Sequence, residues 1–398
     1  MAMLYNQYGT TGAKVSAVGF GGMRFDISKP DDRNAELLLY AHSKGINYFD
    51  TAPGYCEDHS EDIFGIALKQ MADVRSEIYV STKGMPQSSN TTDKARRAVE
   101  KSLKRLNVKK IDFYHVWCIR RIDQYELAMK KGGQYEGLLK CKEEGLIDHI
   151  VISTHLQGQE VCRVIEKKEF EGVLLGVNVL NFQYRWQGVQ AAFDAGLGVV
   201  AMNPLAGGII PKYQKQLTFL ASDNEIPTEA AIRFCVSCPQ ITIALVGFTT
   251  KEHIDTGCRV AANCQPFTST DIDRVKEHTS KNMDSLCTGC GYCMNNLCPK
   301  DIPIANYMQA YNEKLLQHKN DKEMTEQMIF HHEWGYLADR KADAADCIRC
   351  GQCEEVCTQH LDIIDRLSEI AQWERRAKRR LKIRRIRRLA KRLRFWRP

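Results

Sequence analysis

From about residue 16 to residue 262, short apolar runs alternate with longer amphipathic stretches. The runs at 17–22, 46–50, 78–83, 111–117, 149–154, 173–181, 199–203 and 241–247 read as buried parallel strands, being too short for helices and apolar almost throughout. Stretches such as 58–71, 92–106, 125–144 and 227–238 have helical spacing and are long enough to cross from one parallel strand to the next. Eight strand–helix units in roughly 250 residues predict an α/β fold, a (β/α)8 barrel of the TIM type over residues 1–268. A doubly wound sheet fits less well, since no Gly-x-Gly-x-x-Gly follows the first strand. Gly19-Phe20-Gly21-Gly22 lacks that spacing and reads as a tight strand end or as backbone that something approaches closely. Helical periodicity returns at 304–316 and 323–337, predicting a second, small, mainly α-helical domain over 269–373.

The predicted strand ends carry candidate chemistry. Asp50 closes the second strand, Pro53 and Gly54 force a turn, and Tyr55 leaves that turn close to the carboxylate. Lys83 closes the third strand, where a buried ammonium requires a partner, and Asp50 is the obvious one. A barrel places all three on its C-terminal face. A phenol in water titrates near 10, so an adjacent ammonium that favours the phenolate is expected to lower it and make Tyr55 a usable acid. The alternative is an Asp that caps the next helix with a Tyr packed on top.

The stretches Gly19-Phe20-Gly21-Gly22-Met23-Arg24, Phe49-Asp50-Thr51-Ala52 with Tyr55, Ser60-Glu61 with Gly65, Ser81-Thr82-Lys83, Ile111-Asp112-Phe113-Tyr114, Val151-Ile152-Ser153-Thr154-His155 and Val199-Val200-Ala201-Met202-Asn203-Pro204-Leu205 with Gly207-Gly208 resemble, in order, those of the aldo/keto reductases. The resemblance implies NAD(P)H-dependent reduction of a carbonyl, or oxidation of an alcohol, with Asp50, Tyr55 and Lys83 as three of the four catalytic residues. The fourth family position is a histidine, and Trp117 stands there. Trp117 is either an indole N–H donor to the substrate or a pocket wall. His115, two residues earlier and roughly 7 Å deeper, is either a substitute ligand for the carbonyl or a buried, hydrogen-bonded histidine. The resemblance places the cofactor, NADPH or NADH, against Ser153, against Met202, Asn203, Pro204 and Leu205, and against Gly247, Thr249 and Lys251. Gly257 stands where the family usually has an adenine-contacting Asn.

Eight of the 16 cysteines form two tight groups, Cys287-x2-Cys290-x2-Cys293-x4-Cys298 and Cys347-x2-Cys350-x2-Cys353-x3-Cys357, which is ligand spacing rather than disulfide spacing. Three cysteines separated by two residues suit three corners of a cubane, whereas zinc sites pair two CxxC units across a longer gap. The pattern resembles two-cluster ferredoxin modules, in which each fourth cysteine ligates the other cluster. That resemblance implies one [4Fe-4S] cluster on Cys287, Cys290, Cys293 and Cys357 and another on Cys298, Cys347, Cys350 and Cys353, with ligation inside each motif as the alternative. His331 and His332 read as part of a solvated helix face, with metal ligation as the alternative. Cys235 and Cys238 read as core.

Charge divides the chain once more. Residues 375–398 carry 14 Lys and Arg and no acid, and the remainder holds 42 basic and 49 acidic side chains, a net of −7. On a helix, Ile383, Ile386, Leu389, Ala390, Leu393 and Trp396 share an arc of about 140°. The tail at 374–398 is thus a basic amphipathic helix suited to an anionic membrane surface, with an acidic redox partner or the protein's own acidic body, and nucleic acid, as weaker alternatives. The N-terminus lacks the apolar block of a signal peptide and no run of about 18 apolar residues occurs, so the expected location is cytoplasmic, peripheral to the membrane through the tail. Hydride transfer needs no iron, so the clusters imply a second role, either single-electron exchange with a ferredoxin, a flavoprotein or a membrane carrier, through a flavin if one is bound, or a purely structural one. The competing reading is an iron–sulfur electron carrier or docking protein whose barrel is no longer a carbonyl reductase.

Overall fold

The computed structural model describes residues 3–394 apart from 157, 223, 283–285, 288–291, 295–296, 336 and 358–360. Cys290 and the end of the basic tail from residue 395 lie outside the described residues. The chain divides into two compact units, Met1–Arg274 and Val275–Pro398.

The first unit opens with a hairpin, β1 (Tyr5–Gln7) and β2 (Lys14–Ser16), which the apolar pattern of the sequence did not reveal. Eight parallel strands follow: β3 (Val18–Gly21), β4 (Tyr48–Asp50), β5 (Tyr79–Gly84), β6 (Ile111–Ile119), β7 (Ile147–Thr154), β8 (Gly172–Gly176), β9 (Gly198–Met202) and β10 (Ile243–Val246). They close into a barrel in sequence order, β10 pairing with β3. Tyr48, Phe113, Val151, Leu174, Val200, Ile243 and Leu245 fill its interior, and the hairpin contributes Tyr8, Ala13 and Val15 to the same cluster. The Tyr8 ring centroid lies 4.3 Å from that of Phe113. A side chain at Gly198 would collide with that Tyr8 ring, so glycine is required there by close approach.

Two predicted elements change. The stretch 125–144 is two helices, Ile122–Met129 and Gln134–Glu143, parted at Gly132, whose φ of 69° suits glycine. The strand predicted over 173–181 stops at Gly176, because Asn178 and Asn181 bond to nearby backbone instead. Asn181 Oδ1 accepts from Asn178 N at 2.8 Å, and Asn178 Oδ1 accepts from Leu180 N at 3.0 Å.

In the second unit the helices Ile304–Gln317, Asp321–Glu333 and Ile363–Arg394 enclose a core that includes Tyr307, Met308, Met324, Met328 and Trp373. The last helix runs without a break through residues 373 and 374, from this core into the basic segment. Glu374 is 2 % exposed. It accepts from the Tyr307 hydroxyl at 2.6 Å and from Ala344 N at 2.9 Å, and His332 Nε2 lies 2.8 Å away. His331 is likewise buried, with Nε2 3.2 Å from Glu313 Oε1. The two histidines therefore do not form a solvated face. Carboxylates from other helices, distant in sequence, draw them into the core. Among the described residues no helix is long and apolar enough to cross a membrane.

Gly65 packs its helix against the backbone of the next, where an added Cβ would overlap the Arg105 carbonyl oxygen. Gly65→Ala should lower unfolding stability by roughly 1–3 kcal/mol in a denaturant titration, from overpacking against an atom that cannot move aside. A melt unchanged from the parent would contradict this packing.

Candidate active site and cluster-binding cysteines

Strand register decides which side chains meet. Asp50 on β4 pairs with Ser81 on β5, and Lys83 on β5 pairs with His115 on β6. With a period of two, Asp50, Ser81, Lys83 and His115 share the inward face with Tyr48 and Phe113, one layer nearer the strand ends. Lys83 Nζ donates to Asp50 Oδ1, and to the Thr51 carbonyl at 3.0 Å. Ser81 Oγ donates to Asp50 Oδ1 at 2.7 Å, and His115 Nε2 lies 2.7 Å from Ser81 Oγ. A hydroxyl that gives its proton to the carboxylate must accept from the imidazole, which places the His115 proton on Nε2. Burial, and then the Lys83 charge, push the His115 pKa well below its ordinary value, so the ring is neutral. Of the two expectations for His115, the structure has the buried, hydrogen-bonded one.

Asp50 and Lys83 are 2 % and 1 % exposed. Burial pushes the Asp50 pKa up and the Lys83 pKa down, and the attraction between the two opposes both shifts. Tyr55 stands beside them: Lys83 Nζ lies 5.7 Å from its ring centroid, and Trp117 meets the ring edge-on at 5.6 Å and 83°. The sequence expectation of a phenol lowered by Lys83 is corrected here. Burial, reinforced by the Asp50 charge, holds Tyr55 well above its usual range, so the hydroxyl keeps its proton. Trp117 reaches this place across an irregularity in β6 between Val116 and Ile119, where Cys118 has a φ of 63°.

Tyr55 is followed by three non-glycine residues with positive φ: Cys56, Glu57 and Asp58. Asp58 Oδ1 accepts from Gly54 N at 2.8 Å and from Arg105 Nη1 at 2.7 Å. Arg105 also bonds Asp62 Oδ2 at 2.7 Å and lies 3.3 Å from Glu61 Oε2, tying the Tyr55 loop to the next two helices. Ser81 could have been read from its place two residues before Lys83; Arg105 gives no local signal, because its partners lie more than 40 residues away.

The expected cofactor residues also lie at strand ends. Ser153 is buried near the end of β7, and Met202 ends β9. Asn203 has a φ of 59°, and its carbonyl accepts from Asn178 Nδ2 at 3.1 Å. Pro204 and Leu205 continue that turn towards Gly207, whose carbonyl accepts from Arg24 Nη2 at 3.1 Å. A Cβ on Gly247 would lie 2.7 Å from Arg24 Cγ, so Arg24 joins the loops after β3, β9 and β10. After Thr249, Thr250 caps the Lys251–Asn263 helix, accepting from His253 N at 3.3 Å. Gly257 is buried, and its Cβ direction meets the Phe248 ring at 3.0 Å. Neither Asn178 nor Arg24 carries a local sequence signal, since each acts through a backbone carbonyl on a different loop.

In the second unit Cys298, Cys347, Cys350 and Cys353 line one open pocket. Three of these belong to the second cysteine motif and Cys298 to the first. Four thiols are a soft donor set of the kind an iron–sulfur cluster takes, although among the described residues no three His, Cys, Asp or Glu side chains are gathered closely enough to hold a metal ion. Cys287, Cys293 and Cys357 pack on the same hydrophobic core. Arg349 N points at Cys347 Sγ at 3.4 Å and Leu361 N at Cys357 Sγ at 3.5 Å.

Comparison with known proteins gives two family matches: the aldo/keto reductase family over residues 17–280 and the 4Fe-4S dicluster domain over residues 286–361. An uncharacterized oxidoreductase, YrpG, of Bacillus subtilis is 28 % identical over 229 residues, which is 52 % of this chain and 68 % of the relative. L-galactose dehydrogenase of Arabidopsis thaliana is 27 % identical over 279 residues, 62 % of this chain and 84 % of the relative. Among solved structures, the holo form of aldo-keto reductase AKR11C1 from Bacillus halodurans superposes with a TM-score of 0.59 at 21 % identity, covering 69 % of this chain and 96 % of that one, a likeness of fold.

The buried pair yields a stability prediction. Lys83→Met leaves Asp50 without its counter-charge and should cost about 3–5 kcal/mol near neutral pH, while the double variant with Asp50→Asn should recover much of that loss. A protonated Asp50 carries no charge to bury, so the single variant's deficit should shrink as the pH falls through the raised Asp50 pKa. Chemical denaturation at several pH values reads both; strict additivity of the two substitutions would contradict the pairing.

Proposed function

The chain belongs to the aldo/keto reductase family and carries a 4Fe-4S dicluster domain, and on that basis we propose that its barrel binds NADPH or NADH and reduces a small-molecule carbonyl, or oxidises the corresponding alcohol. The observation that carries this reading is Tyr55 beside the buried Asp50–Lys83 pair at the strand ends. The nicotinamide, when bound, supplies the hydride. Tyr55 gives its proton to the developing alkoxide oxygen; the Lys83 ammonium offsets the phenolate charge, and Asp50 holds that ammonium in place. A phenol kept protonated by burial suits this order of events, since the proton leaves only once a strong base has formed. Trp117, against the edge of Tyr55, acts as a wall that confines the carbonyl to the phenol side. Ser153, Met202, Asn203, Pro204, Leu205, Gly247, Thr249 and Lys251 would hold the cofactor, a role supported by their position at the ends of β7, β9 and β10.

Two clusters complete the proposal. Cys298, Cys347, Cys350 and Cys353 hold one, supported by the pocket they share, and Cys287, Cys290, Cys293 and Cys357 hold the other. They serve single-electron transfer with a ferredoxin, a flavoprotein or a membrane carrier, and the basic tail suits an anionic membrane surface. The second reading, an electron carrier with a silent barrel, is favoured by Trp117 in the histidine place and by Phe248 covering Gly257.

Tyr55→Phe separates the two. In an aldehyde panel with NADPH it should lower kcat by about 10²- to 10⁴-fold while cofactor fluorescence still reports binding. No turnover by the parent, or equal turnover by both, would favour the carrier. Under anaerobic conditions, NADPH should bleach the iron–sulfur absorbance if nicotinamide and clusters exchange electrons. A band that stays while NADPH binds would assign the clusters to another donor or to structure.

A further inference from the structure

In the second motif, sulfur atoms accept from nearby backbone: Arg349 N lies two residues beyond Cys347, and Leu361 N four residues beyond Cys357. Cys287, which opens the first motif, is gripped by a side chain from a distant helix. Asn312 Oδ1 accepts from Cys287 N at 2.8 Å, and Asn312 Nδ2 donates to the Cys287 carbonyl at 2.8 Å. The primary amide thus pairs with the N–H and C=O of one residue much as a neighbouring strand would, which restricts both Cys287 dihedrals and with them the direction of its Cα–Cβ bond.

Asn312 sits on the Ile304–Gln317 helix, whose first residue, Ile304, lines the pocket shared by Cys298, Cys347, Cys350 and Cys353. Eight residues separate Ile304 from Asn312, about 12 Å along a helix axis. Tyr307, Met308 and Ala310, between them, are buried in the core of the unit, so the helix cannot slide without repacking it. One rigid element therefore touches the walls of one cysteine site and fixes the backbone of a cysteine in the other.

We propose that Asn312 is a positioning residue for the cluster ligand Cys287, and that it governs the occupancy and reduction potential of that cluster independently of its neighbour. The proposal rests on the iron–sulfur reading of the eight cysteines. Hydrogen bonds around the ligands of a metal site orient them and tune the metal, commonly with a 10- to 100-fold effect on affinity. Cluster potentials respond also to charge and to hydrogen bonds at the ligands.

The test uses the full-length protein, purified anaerobically, with iron content, electron paramagnetic resonance and a redox titration as readouts. The parent should hold about eight iron atoms per chain. Asn312→Leu removes both bonds and should lose or alter one cluster, with iron falling towards about four per chain and the other cluster's spectrum and potential unchanged. Asn312→Asp keeps an acceptor for Cys287 N, loses the donor to its carbonyl and adds a negative charge, so one cluster should be retained at a more negative potential. In a Cys287→Ala background neither substitution should change the remaining cluster. Parent-like spectra and potentials in both variants would overturn the proposal, as would equal disturbance of both clusters, which would mark Asn312 as general packing. An effect that persists in the Cys287→Ala background would overturn it too. A parent that takes up no iron would remove the iron–sulfur reading and this role with it.

Discussion

Asp50 and Lys83 are buried together inside the barrel, and each makes the burial of the other tolerable. An isolated charge at either position would be expelled or neutralised. The pair therefore demands that β4 and β5 keep their register and that Ser81 and His115 supply the remaining hydrogen bonds, as they do. Outside the barrel wall, Thr82 bonds Glu61 at 2.8 Å, and Ser60 Oγ lies 2.7 Å from Thr51 Oγ1, so the helix after Tyr55 is pinned to the same two strands. The Tyr55 phenol, on a loop, gains a fixed address in this way: Arg105 holds the loop from one side, and the Trp117 ring bounds it from the other.

The second unit follows the same rule with a different carboxylate. Glu374 collects a phenol, an imidazole and a backbone N–H from three separate segments, so a charge taken out of water is matched by donors rather than left alone. Because Glu374 lies within the long final helix, the basic segment begins as a continuation of a packed element and not as a loose appendage. Arg376 with Asp321 and Lys378 with Asp343 extend that attachment along the surface. The described cysteines are thereby set in a scaffold whose rigidity comes from helices.

The barrel was legible because short apolar runs at regular intervals can bury themselves in few other ways. The family motifs then marked Asp50, Tyr55, Lys83 and Trp117 as neighbours, and the structure brings these four together. What escaped the sequence depended on partners far along the chain. His331 and His332 look like a polar helix face until Glu313 and Glu374 arrive from other helices. Proximity to an ammonium would by itself lower the Tyr55 phenol; burial, which no local pattern reports, outweighs it.

The sequence by itself determined the parallel-strand order of the barrel, the residues offered at its strand ends, the two groups of cysteines and the charge division between body and tail. These are local properties, set by periodicity and spacing. Tertiary structure alone decided that His115 is buried and bonded below the site, that Cys298 lines a pocket with three cysteines of the other motif, and that Asn312 grips Cys287. Each of these is an encounter between residues tens of positions apart, and whether such groups meet depends on strand register, helix packing and the exclusion of water, none of which is written in neighbouring residues.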